Sequence, residues 1–196
     1  MTIERAELDA IQEQLDRAEA AMTRADESLK RLGDLLDGST PKPTTPRWLD
    51  IARAELGTEE VAGSGNNPRI LEYLATTTLG RHGRSRDSTP WCSAFVNWCM
   101  ERAGLEGTNS AMARSWLGWG VDGPLRPGAV LVFKRGKAPS GHVGLCVRDG
   151  SLDGFVWVIG GNQADSVCEK GYPEQMLLGC RWPDTPEVAA YLEGLK

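Results

Sequence analysis

Two apolar runs, His142-Val-Gly-Leu-Cys-Val147 and Phe155-Val-Trp-Val-Ile-Gly160, flank the turn-forming segment Asp149-Gly-Ser-Leu-Asp-Gly154. Short runs rich in β-branched and aromatic residues, joined by Gly and Asp, are typical of a β-hairpin. A similar run, Ala129-Val-Leu-Val-Phe133, precedes this hairpin, and Leu177-Leu-Gly-Cys-Arg-Trp182 follows it. The chain from about residue 128 therefore predicts an antiparallel sheet of four strands.

Upstream of this sheet, and once after it, a helix-capping residue is followed directly by proline. This pairing is favoured at helix starts. The N–H group at the first helical position has no partner within the helix, so proline, which lacks that group, costs no hydrogen bond there. Four such pairs predict helices over about 46–56, 68–76, 90–103 and 186–194: Thr45-Pro46, Asn67-Pro68, Thr89-Pro90 and Thr185-Pro186. Helices followed by an antiparallel meander predict an α+β domain.

The first 38 residues have a different pattern. Apolar residues recur from Leu8 to Leu36 in alternating steps of three and four, which is typical of a coiled-coil seam. We expect self-association or docking to a partner helix through residues 8–36; the alternative is an amphipathic helix lying on its own domain. The sequence thus divides into a coiled-coil helix (1–38), a Pro-rich linker (39–46), a main domain (47–183) and a C-terminal helix (184–196).

Composition argues against several classes of function. The 196 residues include 22 Lys and Arg against 27 Asp and Glu, with no basic cluster, so nucleic acid is not an expected partner. No apolar run approaches the roughly 18 residues of a membrane span, and the start lacks the pattern of a signal peptide. We therefore expect synthesis in the cytoplasm, with the five Cys as free thiols. With only two His and no Cys-x-x-Cys pair, a structural metal site is not expected.

Cys92 is the candidate nucleophile. If Thr89 caps the helix and Pro90 opens it, Cys92 falls in the first turn, where free backbone N–H groups and the helix dipole favour a thiolate. The same amides can stabilise an oxyanion after attack on a carbonyl. The alternative for Cys92 taken alone is a structural core residue. Cys99, two turns further on, is most simply such a residue.

His142 and Asn162 complete a candidate catalytic set. An antiparallel hairpin centred on Leu152 pairs residue 146 with 158 and residue 142 with 162. Cross-strand neighbours have Cβ atoms about 4.5–5.5 Å apart, so the Asn162 amide oxygen is expected to accept from one imidazole nitrogen. The other nitrogen then stays free for the thiol. The arrangement depends on register, because a slip of one residue moves Asn162 to the opposite face.

Aromatic and glycine residues near these positions suggest a substrate groove. Trp91 and Trp116 are candidates for its walls, with core packing as the alternative. Glycines, Gly161 among them, cluster where the site would open and allow a substrate to approach the backbone closely.

Four ordered motifs resemble the CHAP / NlpC-P60 superfamily of papain-like cysteine peptidases and amidases, and particularly small CHAP-like peptidoglycan hydrolases. The motifs are Pro90-Trp-Cys-Ser-Ala-Phe-Val-Asn-Trp-Cys99, Ala113-Arg-Ser-Trp116, Gly141-His-Val-Gly144 and Gly160-Gly-Asn-Gln163. The resemblance implies a papain-like domain over about 46–183, with helices packed on an antiparallel sheet. It also implies Cys92 as nucleophile, His142 as general base and acid, and Asn162 as the residue that orients the imidazole.

The implied reaction is hydrolysis of an amide bond in the peptide part of peptidoglycan, by an endopeptidase or an N-acetylmuramoyl-L-alanine amidase, without a cofactor. Arg86 stands where many papain-like enzymes have a Gln that helps the oxyanion, so the second donor is expected from the backbone or Gln163. Without a signal peptide, the enzyme would need a phage, a pore or a secretion machine to reach the wall. The alternatives are a thiol acyltransferase or deamidase acting on a protein, and a non-catalytic assembly component with a vestigial site.

Overall fold

The computed structural model describes residues 45–80 and 85–194. Within one compact unit that begins at Thr45, it contains four α-helices and six strands among the described residues. The predicted coiled coil of residues 1–38 lies outside the described part, as does the predicted linker except for its last two residues.

The helices are α1 (Arg47–Ala54), α2 (Pro68–Ala75), α3 (Cys92–Arg102) and α4 (Pro186–Glu193). Asn67 and Thr185 cap their helices as predicted, since each side chain accepts a backbone N–H from the first turn. The predicted starts at Thr45 and Thr89 are wrong. Pro46 and Trp91 are the N-cap residues there, and the Thr89 hydroxyl instead accepts from the Arg86 amide, which closes a turn ahead of α3.

The strands are β1 (Val121–Asp122), β2 (Val130–Lys134), β3 (Gly141–Cys146), β4 (Phe155–Gln163), β5 (Ser166–Pro173) and β6 (Leu177–Trp182). They form one antiparallel sheet in the order β1-β6-β2-β3-β4-β5. Strands β2 to β5 form the meander, and β6 returns to pair with the other side of β2. The α+β prediction is confirmed, although the sheet has six strands, with β1 and β5 added at its two edges.

Helix α3 lies at the centre of the domain. It packs on α1 and α2 on one side and on β3 and β4 on the other. Nine consecutive residues, Cys92–Met100, are buried, which a helix covered on both sides requires. The polar residues in this run are satisfied: Asn97 donates to the Ser93 carbonyl, and the Ser93 hydroxyl donates to the Ser110 carbonyl. Residue 92 is therefore fixed where α3 meets the sheet.

Short 3-10 helices cover Ala113–Gly118 and Glu174–Met176. Across residues 45–80 and 85–194, every helix is too short or too polar to cross a bilayer.

Candidate active site

Cys92 is the first residue of α3, with Trp91 as the N-cap. Its side chain is 7% exposed. Burial raises the pKa of the Cys92 thiol, while hydrogen bonds from the backbone amides of Val143 and Ser93 lower it by less. The amides at the helix start lower the pKa of the thiol, as expected from the sequence, but the larger effect of desolvation opposes them. Cys92 rests as a thiol beside the backbone of β3.

A glycine allows α3 to approach the sheet this closely. A Cβ on Gly161 would lie 2.3 Å from a ring carbon of Trp91 and 2.7 Å from the Cβ of Phe95. Only a residue without a side chain leaves room for the start of α3 against β4. The prediction that Gly161 admits substrate is wrong, because Trp91 and Phe95 fill that space.

His142, the second residue of β3, is 1% exposed and immediately precedes Val143, whose amide faces the Cys92 sulfur. Its Nε2 lies 3.0 Å from Oε1 of Gln163. Its Nδ1 is buried and has no hydrogen-bond partner among the described residues. Buried polar atoms without partners are rare, and they often mark sites of chemistry.

Gln163 determines the tautomer of His142. The Gln163 Nε2 group donates to the carbonyl of Cys168, so the Oε1 atom faces the imidazole as an acceptor. The Nε2 atom of His142 must then carry the hydrogen, which leaves a lone pair on Nδ1. The ring is therefore arranged so that Nδ1 can accept a proton.

Asn162 forms no hydrogen bond with the imidazole in the described structure. Its side-chain amide donates instead to Oε1 of Glu60 over 2.8 Å. Asn162 has a φ of 56°, and the register between β4 and β5 shifts between Gly160 and Gln163. This shift is a β-bulge, in which β4 has one more residue than β5 over the same length. Because of the extra residue, the side chain of Gln163, and not that of Asn162, lies on the face of the sheet that carries His142. The predicted contact between Asn162 and His142 is wrong for this reason.

The His142 ring is also held by aromatic stacking. Tyr172 on β5 stacks on His142 with centroids 5.0 Å apart, and on Phe133 with centroids 4.8 Å apart. Burial lowers the pKa of His142 to about 4, and the hydrogen bond that the ring donates to Gln163 only partly opposes this shift. The imidazole is thus neutral near pH 7 and able to act as a base.

Glu60 is a site residue that the sequence analysis missed. Its Oε1 accepts from Nε1 of Trp91 and from Nδ2 of Asn162, both over 2.8 Å. One carboxylate oxygen therefore joins the residue before Cys92 to the residue before Gln163. No recognisable motif surrounds Glu60, so the sequence carried no signal for this role.

The remaining predicted substrate contacts are buried. Trp91 and Trp116 are 0% exposed, so neither forms a groove wall. Trp116 Nε1 donates to the hydroxyl of Ser93 and fixes the first turn of α3 from the other side. Gln163 is 2% exposed, and both ends of its amide are occupied by His142 and Cys168. Its Nε2 group bonds both the carbonyl and the sulfur of Cys168, so its donors are already used inside the protein.

A cleft of about 380 Å³ opens over His142 and Gln163. Its lining residues include Asn162 and Tyr172, and also three cationic side chains: Lys134, Arg135 and Lys170. No acidic side chain belongs to the lining that the structure describes. These three cations form the rim of the cleft, and the neutral imidazole of His142 lies at its floor.

This arrangement is suited to nucleophilic catalysis. A thiol lies at a helix start, and a neutral imidazole with a free Nδ1 belongs to the adjacent strand. The imidazole is oriented from behind by a carboxamide. Such a set can take the thiol proton and form a covalent acyl intermediate with a carbonyl substrate.

Comparisons with known proteins give the family of this region. Among solved structures, the crystal structure of the wild-type endolysin LysIME-EF1 is similar to this chain, with a TM-score of 0.45 and 14% identity over 71% of this chain and 63% of that one. The chain thus spans just under two thirds of that endolysin. No curated protein matches the chain. A family model of cysteine-dependent hydrolases matches residues 84–162, and this part of the chain therefore carries the sequence of a CHAP domain.

Proposed function

We propose that this protein is a cysteine hydrolase that cuts an amide bond in the peptide part of peptidoglycan. The observation that carries the proposal is the pairing state of His142. Its Nε2 is committed to Gln163 while its buried Nδ1 has no partner among the described residues, next to the strand position that contacts Cys92. The CHAP match supports the class of chemistry. The resemblance of Gly160-Gly-Asn-Gln163 to peptidoglycan hydrolases supports the substrate class.

In the first step, Nδ1 of His142 accepts the thiol proton as the Cys92 sulfur attacks the carbonyl carbon of the amide. The free backbone amides of the first turn of α3 stabilise the oxyanion that forms. The imidazolium then returns the proton to the amide nitrogen. The carbon–nitrogen bond breaks, an amine leaves, and a thioester remains on Cys92.

In the second step, water attacks the thioester carbonyl. Nδ1 of His142 accepts a proton from this water, and the intermediate collapses with expulsion of the Cys92 thiolate. Transfer of the proton from His142 to the sulfur restores the thiol and neutral imidazole. The Gln163 oxygen stabilises each transient imidazolium, because it accepts the hydrogen bond from Nε2.

Product analysis tests the proposal. Purified peptidoglycan and a panel of unmodified proteins are incubated with the full chain, and the products are identified by mass spectrometry. We expect new amino and carboxyl ends in the peptide part of peptidoglycan and no new reducing sugar ends. Release of ammonia from glutamine side chains of the proteins, with peptidoglycan intact, would instead assign the site to protein deamidation and overturn the proposal.

A further inference from the structure

Three cations line the mouth of the cleft, and none is paired with a carboxylate of the described residues. Lys134 and Arg135 lie at the end of β2, and Lys170 lies on β5 across the cleft. Among the described residues, none of the three forms a salt bridge, although surface cations elsewhere do, as Arg126 does with Asp149. Lys170 Nζ lies over the ring of Tyr172, 5.7 Å from its centroid. Lys134, Arg135 and Lys170 thus form a rim of cations without close ion pairs among the described residues.

Two of these cations influence the reacting groups electrostatically. The charge of Arg135 lowers the pKa of both the Cys92 thiol and the His142 imidazole, and Lys170 lowers that of His142. Each effect requires the cation to lie near the site, and because Arg135 and Lys170 are both exposed, solvent and added salt screen it. An anionic group bound by this rim would thus sit near His142, which lines the same cleft.

The loop that carries two of the cations is attached to the domain. Arg114, on the 3-10 helix Ala113–Gly118, donates from Nε to the Ser140 carbonyl over 2.9 Å, at the far end of the turn between β2 and β3. A Cβ on Gly141 would meet the Arg114 side chain at 3.2 Å, so the two pack closely. The turn thus holds Lys134 and Arg135 on one side of the cleft, and β5 holds Lys170 on the other.

We propose that Arg135 and Lys170 bind a free carboxylate of the substrate next to the scissile amide. The inference rests on the proposed function and specifies it: the preferred stem peptide is acidic, and conversion of that carboxylate to a carboxamide weakens binding. A guanidinium can hold a carboxylate through two parallel hydrogen bonds, and an ammonium on the opposite wall adds a second charge. A neutral carboxamide receives neither charge-assisted bond.

Binding to an inactive full-length variant tests this proposal. Cys92→Ala is titrated with two synthetic stem peptides, L-Ala-γ-D-Glu-L-Lys-D-Ala and the same peptide with the α-carboxylate of its glutamate converted to a carboxamide. We expect the acidic peptide to bind about tenfold or more tightly than the amide, with a preference that shrinks as salt is added. Equal affinities for the two peptides would overturn the proposal.

Charge-neutralised variants locate the effect. Adding Arg135→Gln and Lys170→Gln to Cys92→Ala is expected to abolish the preference for the acidic peptide. The control Lys137→Gln removes one charge from the same turn outside the cleft lining, and it is expected to keep the preference. A preference retained by the double substitution, or lost in Lys137→Gln, would contradict the assignment to Arg135 and Lys170.

Cleavage by the wild-type chain separates this inference from the proposed function. Equal cleavage of the two peptides, together with equal binding, would refute the carboxylate site and leave the hydrolase intact. Failure to cleave peptidoglycan, with the binding preference preserved, would refute the hydrolase and leave the carboxylate site intact.

Discussion

His142 donates from Nε2 to Oε1 of Gln163 across 3.0 Å, and both side chains are almost completely buried. The amide of Gln163 is oriented in turn by its bond to the Cys168 carbonyl. This chain of two bonds fixes the imidazole so that Nδ1 is the nitrogen available to a thiol. The residue that positions the imidazole is therefore Gln163, and its neighbour Asn162 bonds to Glu60 instead.

The first prediction compares these two neighbours. Gln163→Ala is expected to lower kcat/KM on the order of 10²-fold, because the imidazole loses the partner that fixes its tautomer and orientation. Asn162→Gly removes the adjacent side chain but suits the positive φ at this position, so we expect a change of only a few fold. Peptidoglycan hydrolysis rates of the two purified variants provide the measurement. A greater loss in Asn162→Gly would favour the arrangement expected from the sequence.

The second prediction concerns pH. Burial lowers the pKa of His142 to about 4, so the neutral base persists down to that pH and kcat/KM should decline only below it. In Gln163→Glu, a carboxylate beside Nε2 favours the imidazolium and raises its pKa, so the acidic decline should move to higher pH. Profiles of kcat/KM against pH for both proteins test this. If kcat/KM declines at the same acidic pH in the unmodified chain and in Gln163→Glu, the contact between His142 and residue 163 would be contradicted.

The third prediction concerns the shared acceptor. Glu60→Ala leaves Nε1 of Trp91 buried without its partner, which should reduce the free energy of unfolding by about 1–3 kcal/mol. Glu60→Gln keeps a side-chain oxygen at the same position and should lose much less. Urea denaturation of the two variants measures the difference. Similar losses of unfolding free energy in the two variants would show that the acceptor oxygen of residue 60 does not stabilise the fold.

The fourth prediction concerns the packing of α3 against β4. Gly161→Ala places a methyl group 2.3 Å from the Trp91 ring, so the helix must move and carry Cys92 with it. We expect a loss of stability of about 1–3 kcal/mol and a lower rate of hydrolysis. Gly118→Ala is the matched control, because its added Cβ meets no atom within 4 Å. Thermal unfolding and activity that stay unchanged in Gly161→Ala would refute this close approach.

Local signals in the sequence were sufficient for most of the fold. The caps at Asn67 and Thr185 and the four apolar runs correspond to observed helix starts and strands. The predicted register of the β3–β4 hairpin is confirmed where the ladder forms, since Cys146 pairs with Val158. These features depend on neighbouring residues along the chain, and such patterns are readable without a structure.

The errors concern features that depend on distant contacts. Asn162 adopts a left-handed backbone conformation, and Ala164 and Asp165 form a tight turn with positive φ, although neither is glycine. The sequence Gly-Gly-Asn-Gln does not indicate that β4 contains a β-bulge here. A regular strand without the bulge places Asn162 opposite His142, which is the arrangement expected from the sequence. The raised pKa of Cys92 is hidden from the sequence for a similar reason, because its burial arises from the whole packing of α3 and not from its position in the helix.

The central claim is that Cys92 supplies the nucleophile, and a pair of cysteine variants tests it most directly. The measurement is the release of new amino groups from purified peptidoglycan by Cys92→Ala and by Cys99→Ala, which alters a fully buried thiol elsewhere in the same helix. We predict a loss of more than about 10³-fold in Cys92→Ala, with thermal unfolding unchanged, and a loss of at most a few fold in Cys99→Ala. Hydrolysis by Cys92→Ala at the rate of the unmodified chain would contradict the account.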